Sequence, residues 1–167
     1  MSTSNRTGCH RHSAFGKEMQ VADAHLDIGE VAILEMARHL FQGFAKPECH
    51  GWMRAFQRAE EIFPPEIAAD VAWKTLKLIQ GMRISRRSCF QFSSPNCPDC
   101  AKVLTEHERQ LLGVLVASRC RQMSEARTHA MLLCEGNQTD SLLGAAKDLS
   151  DVLGERLLNG FSLRVRA

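Results

Sequence analysis

Nowhere does the chain carry the run of about 18 consecutive apolar residues that a membrane-spanning helix needs. The first twenty residues, MSTSNRTGCHRHSAFGKEMQ, also lack the apolar stretch of a secretory leader. A soluble, cytoplasmic protein with no membrane association is therefore expected. Charge of one sign is missing too. Lys and Arg number 21 against 19 Asp and Glu, divided as 12 against 10 over residues 1–88 and 9 against 9 thereafter, so no global basic footprint points to nucleic acid. The sequence has no GxxxxGK[ST], GxGxxG or GxSxG, which removes support for phosphate cradles and nucleophile elbows. His107-Glu108 opens like a zinc-protease helix, but that chemistry needs a second histidine at 111, where Leu111 stands. No catalytic constellation is found.

The 167 residues, 44% hydrophobic and 24% charged, suit one globular domain with its own core. Residues 1–20 are polar and aperiodic and are expected to form a mobile tail before one helical domain over 21–167. Within it, 27–83 and 105–160 are expected to be helical and 84–104 a cysteine-containing loop. Ile33, Met36, Ala37, Leu40, Phe41 and Phe44 recur at i, i+3, i+4, i+7, predicting a helix over 27–45 that Lys46-Pro47 ends. Trp52, Ala55, Phe56, Ala59, Ile62 and Phe63 repeat the spacing up to Pro64-Pro65, and both tryptophans, Trp52 and Trp73, are expected in the core. Pro65 can open a third helix, with Ala68, Val71, Ala72, Leu76, Ile79 and Met82 buried.

After the loop, Thr105 and Glu108 form a capping box, and Leu112, Leu115, Val116, Cys120 and Met123 give the next apolar face. Ser124 is the expected cap of a short helix ending near Gly136, and Asp140 that of a last helix reaching toward Gly160. The terminal FSLRVRA reads as a stub of strand. No longer alternation of period two and no internal repeat is found, so the fold class is an all-α, single-domain bundle of five to seven helices.

Cysteines stand at 9, 49, 89, 97, 100, 120 and 134, an odd number in a chain able to build a core, which favours reduced thiols or metal ligands over a disulfide framework. Between Arg83 and Val103 the periodicity stops, and an irregular connection of that length needs an organiser. Cys97-Pro98-Asp99-Cys100 can place two sulfurs on one ion, Cys89 lies eight residues upstream, and His107 is the first choice for a fourth ligand. Cys49, His50 and the tail residues Cys9, His10 and His12 are further options, whereas Cys120 lies some ~20 Å along the helix from its cap. Structural zinc on Cys89, Cys97, Cys100 and His107 is the expected use of the loop. An iron–sulfur cluster, a metal-free redox dithiol, a haem response at Cys97-Pro98 and plain packing of the thiols stay open. Arg83, Arg86 and Arg87, with Arg119, Arg121 and Arg127, offer a basic surface for phosphate or an acidic protein.

These features lead to an expected zinc-binding accessory or regulatory protein acting through a protein partner. The alternative is a redox, iron–sulfur or haem-responsive sensor or transcriptional regulator. An enzyme with an open metal site using Glu106 or Glu108 as base ranks third. Nucleic acid has weak support as a partner, and homodimerisation through an uncovered helix stripe stays open.

Overall fold

The computed structural model describes residues 19–154. Helix α1 (Ile28–Ala45) starts where Asp27 accepts from the Glu30 N–H and Glu30 accepts in return from the Asp27 N–H. Its apolar residues Ile33, Met36, Ala37, Leu40 and Phe41 are buried, as the spacing predicts. Phe44, expected on that stripe, is exposed, and the Arg83 guanidinium lies 3.9 Å from its ring centre. After Pro47, α2 (Gly51–Ile62) folds back along α1. Gly51 permits this crossing, because a Cβ there would collide with the His39 carbonyl oxygen. Helix α3 (Pro65–Arg83) opens on its proline, as expected.

A one-turn helix, α4 (Pro98–Ala101), interrupts the cysteine loop. The second set of helices is α5 (Glu106–Arg119), α6 (Met123–Leu133) and α7 (Asp140–Leu153). The capping box predicted at Thr105 and Glu108 is present. Two other expected caps are not: Ser124 lies inside α6 after Gln122, and Asp140 is the first residue of α7 after Thr139, with no side-chain cap at either helix. Both residue types suit a cap, and the true start falls one or two positions earlier.

Seven α-helices among the described residues thus make an all-α bundle of two three-helix sets and the single turn of α4. Helices α1, α2 and α3 pack together, α5, α6 and α7 do likewise, and α3 against α7 and α1 against α5 join the sets. Leu78, Ile79, Met82, Leu115, Leu133, Leu142 and Leu149 are fully buried in the shared core. Burying each such side chain is worth ~1.5–3 kcal/mol.

One short sheet departs from the expectation of a structureless tail. Strands β1 (Met19–Gln20) and β2 (Val103–Leu104) pair antiparallel, Met19 opposite Leu104 and Gln20 opposite Val103. Val21 N–H extends the ladder to the Lys102 carbonyl at 2.8 Å. Leu34, Leu104 and Leu112 form a small buried cluster beneath this segment, covered by Met19, Val21, Ala24 and Leu26. Two-residue strands are too short to leave an alternation in the sequence. The rest of the expected tail, the end of the last helix beyond 154 and the FSLRVRA segment lie outside the described residues.

Candidate functional site

The connection from α3 to α5 is held by polar side chains and aromatic stacking. Phe90 and Phe92 lie on Phe41 of α1 with ring centres 4.2 and 5.5 Å apart. At the loop's start, Arg86 donates to the Leu133 carbonyl at 2.6 Å and pairs with Glu135 at 3.3 Å. Glu135 also accepts from the Ser88 hydroxyl and from the backbone N–H groups of Arg87 at 2.9 Å and Ser88 at 3.2 Å. The Ser88 hydroxyl, then the Arg87 N–H, hold the Glu135 carboxyl down at about 2.

The loop's second half closes around one buried ion pair. Arg38 of α1 and Glu108 of α5 meet at 2.7 Å, each side chain 2% exposed. The further bonds of this pair go to the loop and its flanks. Glu108 accepts from Arg38 Nε and Nη2, from Ser93 N–H at 3.0 Å and from Thr105 N–H at 2.9 Å. Arg38 also donates to the carbonyls of Ala101 and Val103, each at 2.7 Å. Ser93 Oγ donates to the Val103 carbonyl at 2.8 Å, and Thr105 Oγ1 to the Gln91 carbonyl at 2.8 Å. The organiser that the loop's length demands is therefore, for these residues, a guanidinium–carboxylate node.

A second node mirrors the first. Arg119, at the end of α5, donates 2.7 Å bonds to both Asp27 and Glu30 at the start of α1, and a 3.2 Å bond to the Gly154 carbonyl. Each of the two long helices thus lends the glutamate of its capping box to an arginine on the other. Apolar spacing alone does not single out these four residues. A signal is nonetheless present: Glu30, Leu34, Arg38 and Phe41 run along one ridge of α1, and Glu108, Leu112, Leu115 and Arg119 along one of α5, with charges standing among core positions.

The expected zinc ligands fare unequally. Cys97 precedes α4 and its sulfur accepts from the Cys100 N–H at 3.5 Å, so the two thiols share one helical turn, both partly exposed. Cys89 is exposed on the loop. His107 is committed elsewhere: its Nδ1 accepts from the Gln91 N–H at 2.8 Å, Nε2 lies 3.0 Å from Arg86 Nη2, and Phe90 packs on its ring with centres 5.5 Å apart. Burial, then the Arg86 charge, lowers its pKa and favours the neutral ring. Cys89, Cys97, Cys100 and His107 are accordingly not assembled as a set. Among the described residues no group of three or more His, Cys, Asp or Glu is placed to hold a metal. Cys134 is buried, which raises its thiol pKa.

The expected basic surface is also altered, because Arg86 and Arg119 are spent on carboxylates and carbonyls inside the fold. Exposure appears instead where core was expected. Trp52 is 57% and Trp73 53% exposed. Phe44, Trp52, Met53 and Ile84 are exposed at the end of the bundle where α1 and α3 finish and α2 begins, as the Arg83–Phe44 contact and the close approach of Gly43 to Gly51 and Trp52 require. Lys46, Arg54 and Arg83 are exposed within two residues of these positions in the chain, Arg83 lies over Phe44, and the acidic Glu48 is exposed nearby in sequence. No described helix is long and apolar enough to cross a membrane. No protein-family model, curated protein or solved structure matches this chain.

Proposed function

We propose that this is a metal-binding accessory or regulatory protein that works by binding another protein, with zinc held structurally at the Cys97–Cys100 turn. The observation that carries this reading is the pre-arranged thiol pair. The two sulfurs sit on one turn, and the node at Arg38 fixes the end of that turn through the Ala101 carbonyl. A pair already ordered gives up little conformational freedom on meeting a metal, and thiolate donors with one-turn spacing suit tetrahedral zinc.

The binding face is the apolar end formed by Phe44, Trp52, Met53 and Ile84, and the exposed Lys46, Arg54 and Arg83 beside these residues in the chain select an acidic partner. The buried charges at Arg38, Glu108, Arg119 and Glu30 serve the fold and leave the surface side chains to recognition. Metal analysis of the purified full chain, with an absorption spectrum, tests the reading. We expect one colourless zinc per chain, lost together with thermal stability in Cys97→Ser and Cys100→Ser. Iron with visible absorption would turn the reading into that of a cluster-based sensor, and protein that takes up no metal would end it.

A further inference from the structure

Holding a metal is not the only chemistry open to two sulfurs on one turn. We infer that Cys97 and Cys100 form a redox dithiol that exchanges electrons with small-molecule disulfides, Cys97 attacking and Cys100 closing the bridge. The inference goes beyond the zinc reading, because the reaction needs no metal. A closed disulfide has no thiolate left to donate, so oxidation and zinc exclude each other at this turn, and this last consequence alone rests on that reading.

The backbone already holds the pair close to bridging geometry. Cys97 precedes α4, and its carbonyl accepts from the Ala101 N–H at 2.8 Å, which closes one helical turn over 97–101. Side chains three apart on a turn have Cβ atoms ~5–6 Å from each other, and a disulfide brings them to ~3.5–4.5 Å, so closure contracts the turn by only ~1–2 Å. The Cys97 sulfur accepts from the Cys100 N–H at 3.5 Å, a bond that strengthens when the acceptor is a thiolate. Both residues are partly exposed, which admits a small disulfide from solvent. The far end of the turn is fixed, since Arg38 donates to the Ala101 carbonyl at 2.7 Å and Val21 to the Lys102 carbonyl at 2.8 Å, so the change stays within the turn.

The exchange runs in two displacements. The Cys97 thiolate attacks one sulfur of the incoming disulfide, a new bond forms to Cys97, the old sulfur–sulfur bond breaks, and a first thiolate leaves. The Cys100 thiolate then attacks the Cys97 sulfur and expels the second. The turn is oxidised by two electrons, the incoming disulfide is reduced to two thiols, and the protons given up by Cys97 and Cys100 end on them. The second displacement joins residues of one turn and so outruns attack by a thiol from solution. Other cysteines are worse placed for it. Cys49, Cys89 and Cys120 each stand eight or more residues from any other cysteine in the chain, and burial raises the Cys134 pKa, which disfavours its thiolate.

In the test, the full chain is reduced, stripped of metal with a chelator and incubated with glutathione disulfide. Remaining thiols are capped with N-ethylmaleimide, and the tryptic peptide Ser88–Lys102, which carries Cys89, Cys97 and Cys100, is weighed and fragmented. The expected product has one maleimide, on Cys89, and a Cys97–Cys100 bridge that excess reduced glutathione reopens. Cys89→Ser should close as the wild type does, Cys100→Ser should stop with one glutathione on Cys97, and Cys97→Ser should lose the closed form. Circular dichroism checks the folding of each variant, and the wild-type result depends on none of them. A pair that stays reduced, or a bridge that includes Cys89, would overturn the inference. Chain loaded with zinc should release one ion for each bridge closed, and zinc kept in the closed form would refute the exclusion. Closure in a chain that takes up no zinc would uphold the dithiol and end the zinc reading, whereas zinc uptake by a chain whose metal-free form never closes would do the reverse.

Discussion

Glu108→Ala is the most informative single change, because it strips the acceptor from a guanidinium that has no route to water. Arg38 would keep its 2.7 Å bonds to Ala101 and Val103 while its charge stayed buried and unpaired, and Ser93 and Thr105 would lose the acceptor of their N–H groups. Breaking a buried ion pair from one side costs about 3–5 kcal/mol, a large share of the ~5–15 kcal/mol that holds an ordinary domain together. For a chain of this size that is a fall of roughly 6–20 °C in Tm. The double variant Arg38→Met, Glu108→Leu makes the comparison sharp. Replacing a buried pair by apolar groups is often neutral or stabilising. Here, however, the N–H groups of Ser93 and Thr105 and the Ala101 carbonyl bond to the pair, while the Val103 carbonyl keeps the Ser93 hydroxyl, and each group left unsatisfied costs ~1–3 kcal/mol. The double variant should therefore remain destabilised and lose amide-exchange protection at Ser93 and Thr105. Urea unfolding with hydrogen exchange reads both effects. A double variant as stable as the wild type, with those amides still protected, would refute the view that this node organises the loop.

Acidification should destabilise the fold through His107. Its folded pKa lies below its ordinary value of 6.5, because of burial first and the Arg86 charge second, against the opposing Glu106, Glu135 and Glu108. The unfolded chain therefore takes up the proton first. Stability from this residue is whole above pH 6.5 and is lost as pH falls through the lowered folded value. Tm measured from about pH 7.5 down to about 5 should drop, and His107→Gln should flatten part of that drop. His39, lowered mainly by burial, supplies a parallel share that the variant leaves in place. An unchanged pH profile in His107→Gln would contradict the assignment. At the apolar end, Trp52→Glu with Met53→Glu should leave Tm nearly unaltered, since both side chains are exposed, yet abolish capture of the acidic partner in affinity purification. Equal capture by this variant would remove the binding face from that end.

Chemistry that acts within a few residues is legible in the sequence. The first three helices follow from apolar spacing and two proline breaks, and the Thr105–Glu108 box is visible because its members are three apart. The starts of α6 and α7 escape such reading because neither helix uses a side-chain cap. The organisation of the loop is out of reach because Arg38 and Glu108 stand 70 residues apart, and only charge on an apolar ridge hints at their burial. In the site, the Cys97–Cys100 turn is local and therefore legible. Sequence distance favours His107 as a ligand, whereas what decides its role is Arg86, Phe90 and Gln91, which the fold brings to it. General burial tendencies place the tryptophans inside, and they carry no information about a bundle end that the described chain leaves uncovered.

The exchange of glutamates between α1 and α5 has a consequence for how the chain is made. Glu30 and Arg38 emerge from the ribosome early, but their partners, Arg119 and Glu108, follow 89 and 70 residues later. At ~5–20 residues per second, Arg38 waits some ~4–14 s for Glu108. During that interval a closed α1–α3 set would have to bury two charges of opposite sign at separate places before either meets its partner on α5. The first three helices should therefore stay loosely associated on the nascent chain, and the molecule should lock in one step when α5 arrives. A fragment ending after α3 would be an open intermediate with its apolar stripes exposed to chaperones.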